Sequence, residues 1–294
     1  MSLKKNILVT GADGQLGMEF RDLEKTFPYF NFYFVSRTDL SITDNQALEN
    51  YFANAKIDVC INCAAYTAVD KAETEMDAAM QVNAVGAANV ALVCSMYETK
   101  LFHISTDYVF DGKAGKPYKE TDMVNPVGAY GLTKLAGEKA VQDAHSSAII
   151  IRTSWVYSSH GKNFVKTMVR LMQEKESIGV VNDQFGSPTY AADLALAIMH
   201  IIEADDFVPG IYHYCNEGVI SWYEFATAIK SFLQSTCKVN AIPTAEYPTP
   251  AARPAYSALN TERFFQTFGI AIPGWKESLQ KCLREFTAAE QGKL

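Results

Sequence analysis

Short apolar runs alternate with amphipathic stretches throughout the first half of this 294-residue chain. Runs of this length predict strands, and the amphipathic stretches predict helices between them. The predicted strands are 6–10, 31–36, 59–63, 101–105 and 148–152, and the predicted helices are 16–26, 45–55, 77–98 and 132–144. Strands separated by helices form βαβ units, so we expect an α/β fold with a Rossmann-type, doubly wound parallel sheet.

Beyond Trp155 the alternation becomes irregular. Helical patterns and short strand patterns mix there with a cluster of prolines, which predicts a smaller, loop-rich α/β C-terminal substrate lobe. The predicted helices are 163–174, 191–204, 221–233 and 276–287, and the predicted strands are 180–181 and 211–214. We place a dinucleotide-binding domain at 1–156 and a mainly substrate-binding lobe at 157–294, with some segments returning to pack on the first domain.

Charge and hydropathy exclude several classes of protein. The net charge is −7 with no basic stripe, which argues against a nucleic-acid partner. No uninterrupted apolar run approaches the roughly 18 residues of a membrane helix. The N-terminal residues lack the apolar stretch and cleavage site of a signal peptide, so we expect a cytoplasmic protein. Cys60 and Cys63 form a C-x-x-C inside an apolar strand, where core thiols are expected.

A glycine-rich turn directly follows the first predicted strand and opens the first predicted helix. Gly11 permits a tight turn, Gly14 lets the backbone approach a pyrophosphate, and Gly17 lets helix and strand pack closely. The N–H groups of the helix N-terminus, at Gln15 and Leu16, then point at the anion. This placement predicts a dinucleotide cofactor.

The end of the second strand bears on which cofactor is used. An acidic residue there would accept hydrogen bonds from the adenosine ribose and select NAD. This chain instead has the neutral Ser36 and the basic Arg37, which can pair with a 2′-phosphate. We therefore expect NADPH, with NADH as the alternative.

Tyr130 and Lys134 stand in the pattern Y-x-x-x-K, which places both side chains on one face of a helix. A phenol with a pKa near 10 is a poor acid–base group at neutral pH, and a neighbouring ammonium is expected to lower that pKa. The pair suits reduction of a carbonyl, whose oxygen needs a proton once a hydride has attacked the carbon. Thr106 follows the predicted fourth strand, where its hydroxyl can bond the substrate oxygen.

These motifs resemble the extended short-chain dehydrogenase/reductase family, and the similarity runs nearly end to end. The segments that carry it are 62–73, 105–112, 130–138, 152–157, 182–186 and 247–254. The resemblance implies a reductase that delivers a hydride to a keto group on a nucleotide-linked sugar. It also makes a homodimer the candidate assembly.

The resemblance further assigns roles to individual residues. It implies that Tyr130 is the proton donor and Lys134 its partner, and that both also contact the cofactor. Four residues would contact the substrate, namely Thr106, Asp107, Trp155 and Arg253. The remaining cofactor contacts would come from Gly14, Gln15, Leu16, Asp39, Leu40, Ala64, Ala65, Tyr66, Thr67 and Ile104.

Some members of this family hold a magnesium ion with glutamates at a subunit contact. Glu19 is one candidate ligand here, but Ala191 and Ala192 precede Asp193 where a second glutamate is sought. We therefore predict no required metal.

Two other functions use the same motifs. Sugar-nucleotide dehydratases and epimerases recycle a tightly bound NAD, and in the dehydratases the threonine is followed by Asp-Glu. Here Asp107 is followed by Tyr108, so half of the elimination machinery is missing. A non-catalytic, NADP-binding regulatory subunit is the second alternative, and the intact Tyr130, Lys134 and Thr106 favour catalysis over it.

Overall fold

The structure, a computed structural model, describes residues 4–291. Short strands occur along this whole part of the chain. They are β1 (Lys5–Thr10), β2 (Phe30–Val35), β3 (Val59–Asn62), β4 (Lys100–Thr106), β5 (Ile149–Thr153), β6 (Val156–Tyr157), β7 (Ser177–Val181), β8 (Phe185–Gly186), β9 (Thr189–Tyr190), β10 (Gly210–His213), β11 (Ile220–Ser221) and β12 (Lys238–Ile242).

Helices connect these strands. They are α1 (Gln15–Leu23), α2 (Asn45–Asn54), α3 (Val69–Ala72), α4 (Met76–Met80), α5 (Ala87–Met96), α6 (Ala129–Ala144), α7 (Phe164–Glu174), α8 (Ala191–Ala204), α9 (Trp222–Leu233), α10 (Glu262–Phe268) and α11 (Trp275–Gln291). A π-helical segment, Gln81–Gly86, joins α4 to α5, so residues 76–96 form one continuous helix.

The main sheet has six strands in the order β10-β5-β4-β3-β1-β2, and every pair in it is parallel. The chain first moves outward from β1 to β2 and then returns to β3 on the other side of β1. This reversal opens a crevice at the carboxyl ends of β1 and β3, where doubly wound sheets bind their ligands. The predicted fold class is therefore confirmed.

Helices cover both faces of this sheet because successive strand residues point to opposite sides. On one face Ile7 and Val9 pack with Phe20 of α1 and with Leu194 and Ile198 of α8. On the other face the core includes Leu8, Cys60, Leu48, Val90 and Val141. The six cysteines are free thiols, and all but the half-buried Cys63 are buried.

The second half of the chain contributes to both parts of the molecule. Strand β10 completes the main sheet beside β5, and α8 packs on α1. A separate core forms around Met168 of α7, Phe225 of α9 and Leu279 of α11. There β7 pairs with β12, a strand that alternation did not predict because most of its side chains are exposed.

The continuous helix Met76–Met96 is long and apolar enough, by length and composition, to cross a membrane. Asp77, Gln81, Asn83 and Asn89 interrupt its apolar residues, so it does not contradict the expectation that no uninterrupted apolar run reaches that length. Half of this helix is nevertheless buried in the fold, where it packs against α6. Core helices of soluble proteins meet the same criterion, so this helix is weak evidence for a membrane span.

Candidate active site

The glycine turn closes tightly over the end of β1. Gly11 has a φ of +63°, and a Cβ there would lie 2.7 Å from the backbone of Ala64. A Cβ on Gly17 would lie 2.5 Å from the carbonyl oxygen of Gly11. No side chain caps α1 at Gly14, so the first N–H groups of this helix are left for an anion.

The loop after β2 is ordered by a carboxylate. Asp39 accepts hydrogen bonds from the backbone N–H and the hydroxyl of Ser36, at 2.9 and 2.7 Å. These hydrogen bonds lower the pKa of Asp39. Arg37 is exposed and joins no ion pair among the described residues, while Leu40 is buried. The only basic side chain in this loop therefore remains available to a phosphate.

The segment after β3 is held by an asparagine that lies outside the predicted site motifs. Asn83, in the π-helical segment, accepts from the backbone N–H of Tyr66 at 2.8 Å and donates to its carbonyl at 3.1 Å. Its amide also donates to Thr133 of α6. A polar residue inside an apolar helix is the sequence signal that would have found it. Ala64 and Ala65 are half-buried in this segment, and Thr67 is exposed.

Thr106 and Asp107 lie at the carboxyl end of β4. The Thr106 hydroxyl donates to Asp107 Oδ1 at 3.0 Å and accepts from the backbone of Tyr108. Burial raises the pKa of Asp107 to about 6, although hydrogen bonds from Ser257 and Thr106 oppose the shift. The predicted substrate residues Thr106 and Asp107 are thus brought together beside the crevice.

Tyr130 lies in the first turn of α6, next to this pair. Its ring meets that of Tyr108 edge-on, with 5.6 Å between ring centroids. Burial raises the pKa of the Tyr130 phenol to about 12, against a hydrogen bond with Thr106 that lowers it. The expected lowering by Lys134 does not occur in the free chain, where burial is the largest influence on this pKa. The phenol is therefore protonated at neutral pH, as a proton donor must be.

Lys134 is 2% exposed and donates from Nζ to the carbonyl oxygen of Ile104 at 2.7 Å. Burial lowers the pKa of Lys134 to about 8, and the charge of Glu138 opposes that shift. Ile104, a predicted cofactor residue, thus anchors the ammonium to β4.

Trp155 follows β5 in a left-handed backbone conformation, with a φ of +46°. Its indole stacks on Trp222 of α9, with 3.5 Å between centroids and 9° between planes. A Cβ on Gly186 would lie 2.7 Å from the same indole. Trp222, which was not predicted, thus forms an aromatic platform with Trp155 against the core of α7, α9 and α11.

Arg253 lies in the proline-rich segment and pairs with a residue of the first half of the chain. Its Nη2 donates to both carboxylate oxygens of Asp70 at 2.9 Å. Asp70 also accepts from the backbone of Ala251. The Nη1 of Arg253 is buried and has no hydrogen-bond partner among the described residues. Arg253, a predicted substrate contact, is therefore partly engaged by Asp70.

Glu19, the candidate metal ligand, is 3% exposed and accepts a hydrogen bond from Ser158. Burial raises its pKa to about 7. Ligand atoms of Glu19, Asp22 and His160 lie within 4.8 Å of one another. A metal ligand must be deprotonated, so a cation here would have to displace this proton, and the absence of a required metal stays a prediction.

Comparison with known proteins identifies relatives of this chain. Residues 5–288 match the model of the RmlD substrate binding domain family. The chain is 40% identical to the spore coat polysaccharide biosynthesis protein SpsK of Bacillus subtilis, covering 96% of this chain and 98% of the relative. It is 39% identical to a dTDP-4-dehydrorhamnose reductase of Escherichia coli, covering 95% and 97%.

A solved structure is similar to the same extent. The dTDP-4-dehydrorhamnose reductase of Bacillus anthracis, in complex with NADP, is 40% identical and superposes with a TM-score of 0.92. The match covers 96% of this chain and 99% of that one. Sequence and fold agree over nearly the full length, and the chain therefore belongs to the RmlD family, the family of the dTDP-4-dehydrorhamnose reductases.

Proposed function

We propose that this chain catalyses the NADPH-dependent reduction of the C4 keto group of dTDP-4-dehydro-L-rhamnose to dTDP-L-rhamnose. This reaction belongs to dTDP-rhamnose biosynthesis and thus to cell-surface polysaccharide synthesis. The observation that carries the proposal is the convergence of Tyr130, Lys134 and Thr106 at the carboxyl end of β4, beside the switch-point crevice. Similarity to reductases of this name supports the same substrate.

The residues around the crevice fit a dinucleotide. The uncapped N-terminus of α1 and the close approach at Gly11 and Gly17 leave room and donors for a pyrophosphate. Arg37 is placed to pair with a 2′-phosphate. When bound, NADPH supplies a hydride from C4 of its nicotinamide to the carbonyl carbon of the sugar.

The protein supplies the proton. Tyr130 donates its phenolic proton to the carbonyl oxygen as the C–H bond forms, so ketone, hydride and proton together give the alcohol. Thr106 is placed to hydrogen-bond that oxygen. The buried ammonium of Lys134 stabilises the phenolate that remains, because an opposite charge nearby favours the ionised form.

The presence of Tyr108 after Asp107 argues against a dehydratase function for this chain. Its ring packs edge-on against Tyr130, and no second carboxylate follows Asp107. Elimination of water needs that second group, whereas reduction does not.

We propose four accompanying properties. Residues 157–294 act mainly as the substrate lobe, the chain works in the cytoplasm, it forms a homodimer, and it needs no metal. Exposed apolar side chains on the helix 76–96, at Val85, Leu92 and Met96, support self-association. Gel filtration with light scattering tests the dimer, and activity after EDTA treatment tests the metal.

The test of function is NADPH oxidation measured against a panel of 4-keto nucleotide sugars. We expect turnover with dTDP-4-dehydrorhamnose and slower turnover with other bases or sugars. Purified protein that carries stoichiometric NAD would instead indicate an epimerase or dehydratase. Tight NADPH binding without turnover of any substrate would indicate a regulatory subunit.

A further inference from the structure

Three ionisable side chains lie along one face of α6. Tyr130, Lys134 and Glu138 follow one another at intervals of four residues, which places them on successive turns. The proposed reaction uses the first two. Glu138 is 1% exposed, so its position in the fold calls for a physical reason.

Glu138 is held rigidly from two strands. Arg152 of β5 donates from Nε and Nη2 to the two carboxylate oxygens, at 2.9 and 2.7 Å. The hydroxyl of Ser105 on β4 donates to Oε1 at 2.5 Å. The guanidinium of Arg152 also lies over the ring of Phe110, 5.2 Å from its centroid. Such a bidentate pair fixes the carboxylate in one orientation.

The same strand holds both buried charges of α6. Ile104 accepts the hydrogen bond of Lys134, and the next residue, Ser105, donates to Glu138. Adjacent turns of the helix are thus docked on adjacent residues of β4. Buried ion pairs are often replaceable by apolar side chains without loss of stability, so stability alone is a weak reason for this one.

We propose that Glu138 is a positioning residue that keeps the ammonium of Lys134 charged during turnover and thereby sets the alkaline limit of activity. The inference rests on the proposed function, in which Lys134 stabilises the Tyr130 phenolate. Arg152 and Ser105 hold Glu138 where its charge acts on Lys134 through a low-dielectric interior.

The other ionisable groups near Lys134 do not supply this charge. The Cys63 thiol lies after β3, and burial raises its pKa, so it is neutral at physiological pH. His103 of β4 has a pKa held well below its usual value by burial, so the imidazole is neutral too. Tyr130 is protonated, and the charge of Asp107 acts on Tyr130. Glu138 is the group whose charge most strongly raises the pKa of Lys134.

The first test is the pH profile of kcat for Glu138→Gln, which removes the charge and keeps the shape. We expect the alkaline limb to move down by about one pH unit. Glu138→Asp keeps the charge and should retain the wild-type limb. Asp143→Asn, an exposed carboxylate on the same helix, is the matched control and should leave the limb in place.

A lower kcat in Glu138→Gln with an unmoved alkaline limb would overturn the proposal and leave Glu138 a purely structural role. If Glu138→Gln does not fold, the double variant Glu138→Gln/Arg152→Met removes the buried pair together. It should show the same direction of shift, since Glu138 is the residue of the pair whose charge acts on Lys134.

A second readout separates this inference from the proposed function. The lysine Cε resonances of 13C-labelled protein are titrated by NMR, and the Lys134 signal is assigned by its loss in Lys134→Met. We expect the pKa of Lys134 to fall by about one unit in Glu138→Gln. An unchanged pKa would refute the inference, whereas absence of turnover with every 4-keto sugar would refute only the proposed function.

Discussion

Lys134 Nζ is hydrogen-bonded to the carbonyl oxygen of Ile104, 2.7 Å away, although Tyr130 lies one helical turn before it on α6. In the free chain the ammonium is therefore anchored to the sheet. The Tyr130 phenol keeps its proton because burial raises its pKa to about 12. In the proposed reaction, Tyr130 would therefore give its proton first and Lys134 would stabilise the resulting phenolate afterwards.

Tyr130→Phe should lower kcat by roughly 10²–10⁴-fold, because it removes the proton donor while keeping the aromatic ring. The dissociation constant for NADPH should stay near the wild-type value, measured by fluorescence of the bound cofactor. Tyr108→Phe is the matched control, since its ring packs edge-on against that of Tyr130. Near-normal turnover in Tyr130→Phe would exclude Tyr130 as the acid.

The architecture of the first half could be predicted because its signals are local. Hydrophobic periodicity identified β1 to β5, and the glycine turn identified where α1 begins. Strand β12 was not predicted, because buried and exposed side chains do not alternate along it. Its pairing with β7 is what makes it a strand.

The candidate site was predictable in its members and less so in its contacts. Y-x-x-x-K placed Tyr130 and Lys134 on one helix, but it did not reveal that burial would raise one pKa and lower the other. The Asp70–Arg253 pair joins residues 183 positions apart, and no sequence pattern encodes such a contact. Partners of this kind depend on the tertiary fold.

Gly17→Ala should destabilise the chain by about 1–3 kcal/mol and weaken NADPH binding, because the new methyl would overlap the Gly11 carbonyl oxygen. Urea unfolding and cofactor fluorescence measure the two effects. Gly115→Ala is the control, as a Cβ there meets nothing within 4 Å. If Gly17→Ala and Gly115→Ala had the same free energy of unfolding and the same affinity for NADPH, the close approach at the glycine turn would be contradicted.

Glu19→Gln should stabilise the chain increasingly as the pH rises. Burial raises the pKa of Glu19 from 4.5 to about 7, so the folded chain retains a proton that the unfolded chain has released. Stability from the protonated carboxyl is complete below pH 4.5 and is lost as the pH rises through about 7. The amide variant avoids that loss, which amounts to about 3 kcal/mol.

Urea unfolding at pH 4.5 and pH 8 checks this, with the exposed Glu24→Gln as control. If the free energies of unfolding of Glu19→Gln and wild type differed by the same amount at both pH values, Glu19 would have the same pKa in the folded and unfolded chains.

Arg253→Met should raise the KM for the nucleotide sugar by about tenfold to a hundredfold, as expected for loss of a charged hydrogen bond. Burial raises the pKa of the Tyr108 phenol, and the charge of the Arg253 guanidinium opposes that shift, so Arg253 lies near Tyr108 beside the crevice. Steady-state kinetics at saturating NADPH measure the effect. Arg170→Met, a surface arginine paired with Glu174, should leave KM unchanged. A fall in kcat at constant KM would contradict a binding role for Arg253.

Arg37→Ala should reduce the preference for NADPH over NADH. Asp39 accepts hydrogen bonds from Ser36 and does not pair with Arg37. The guanidinium of Arg37, the basic group of the loop after β2, is therefore available to pair with a 2′-phosphate. Losing one exposed charge-assisted contact should lower kcat/KM for NADPH about tenfold and leave the value for NADH unchanged. Lys25→Ala, which removes an exposed cation from the same domain, should change neither value. An equal loss of kcat/KM with both cofactors would show that Arg37 stabilises the loop but does not bind the 2′-phosphate.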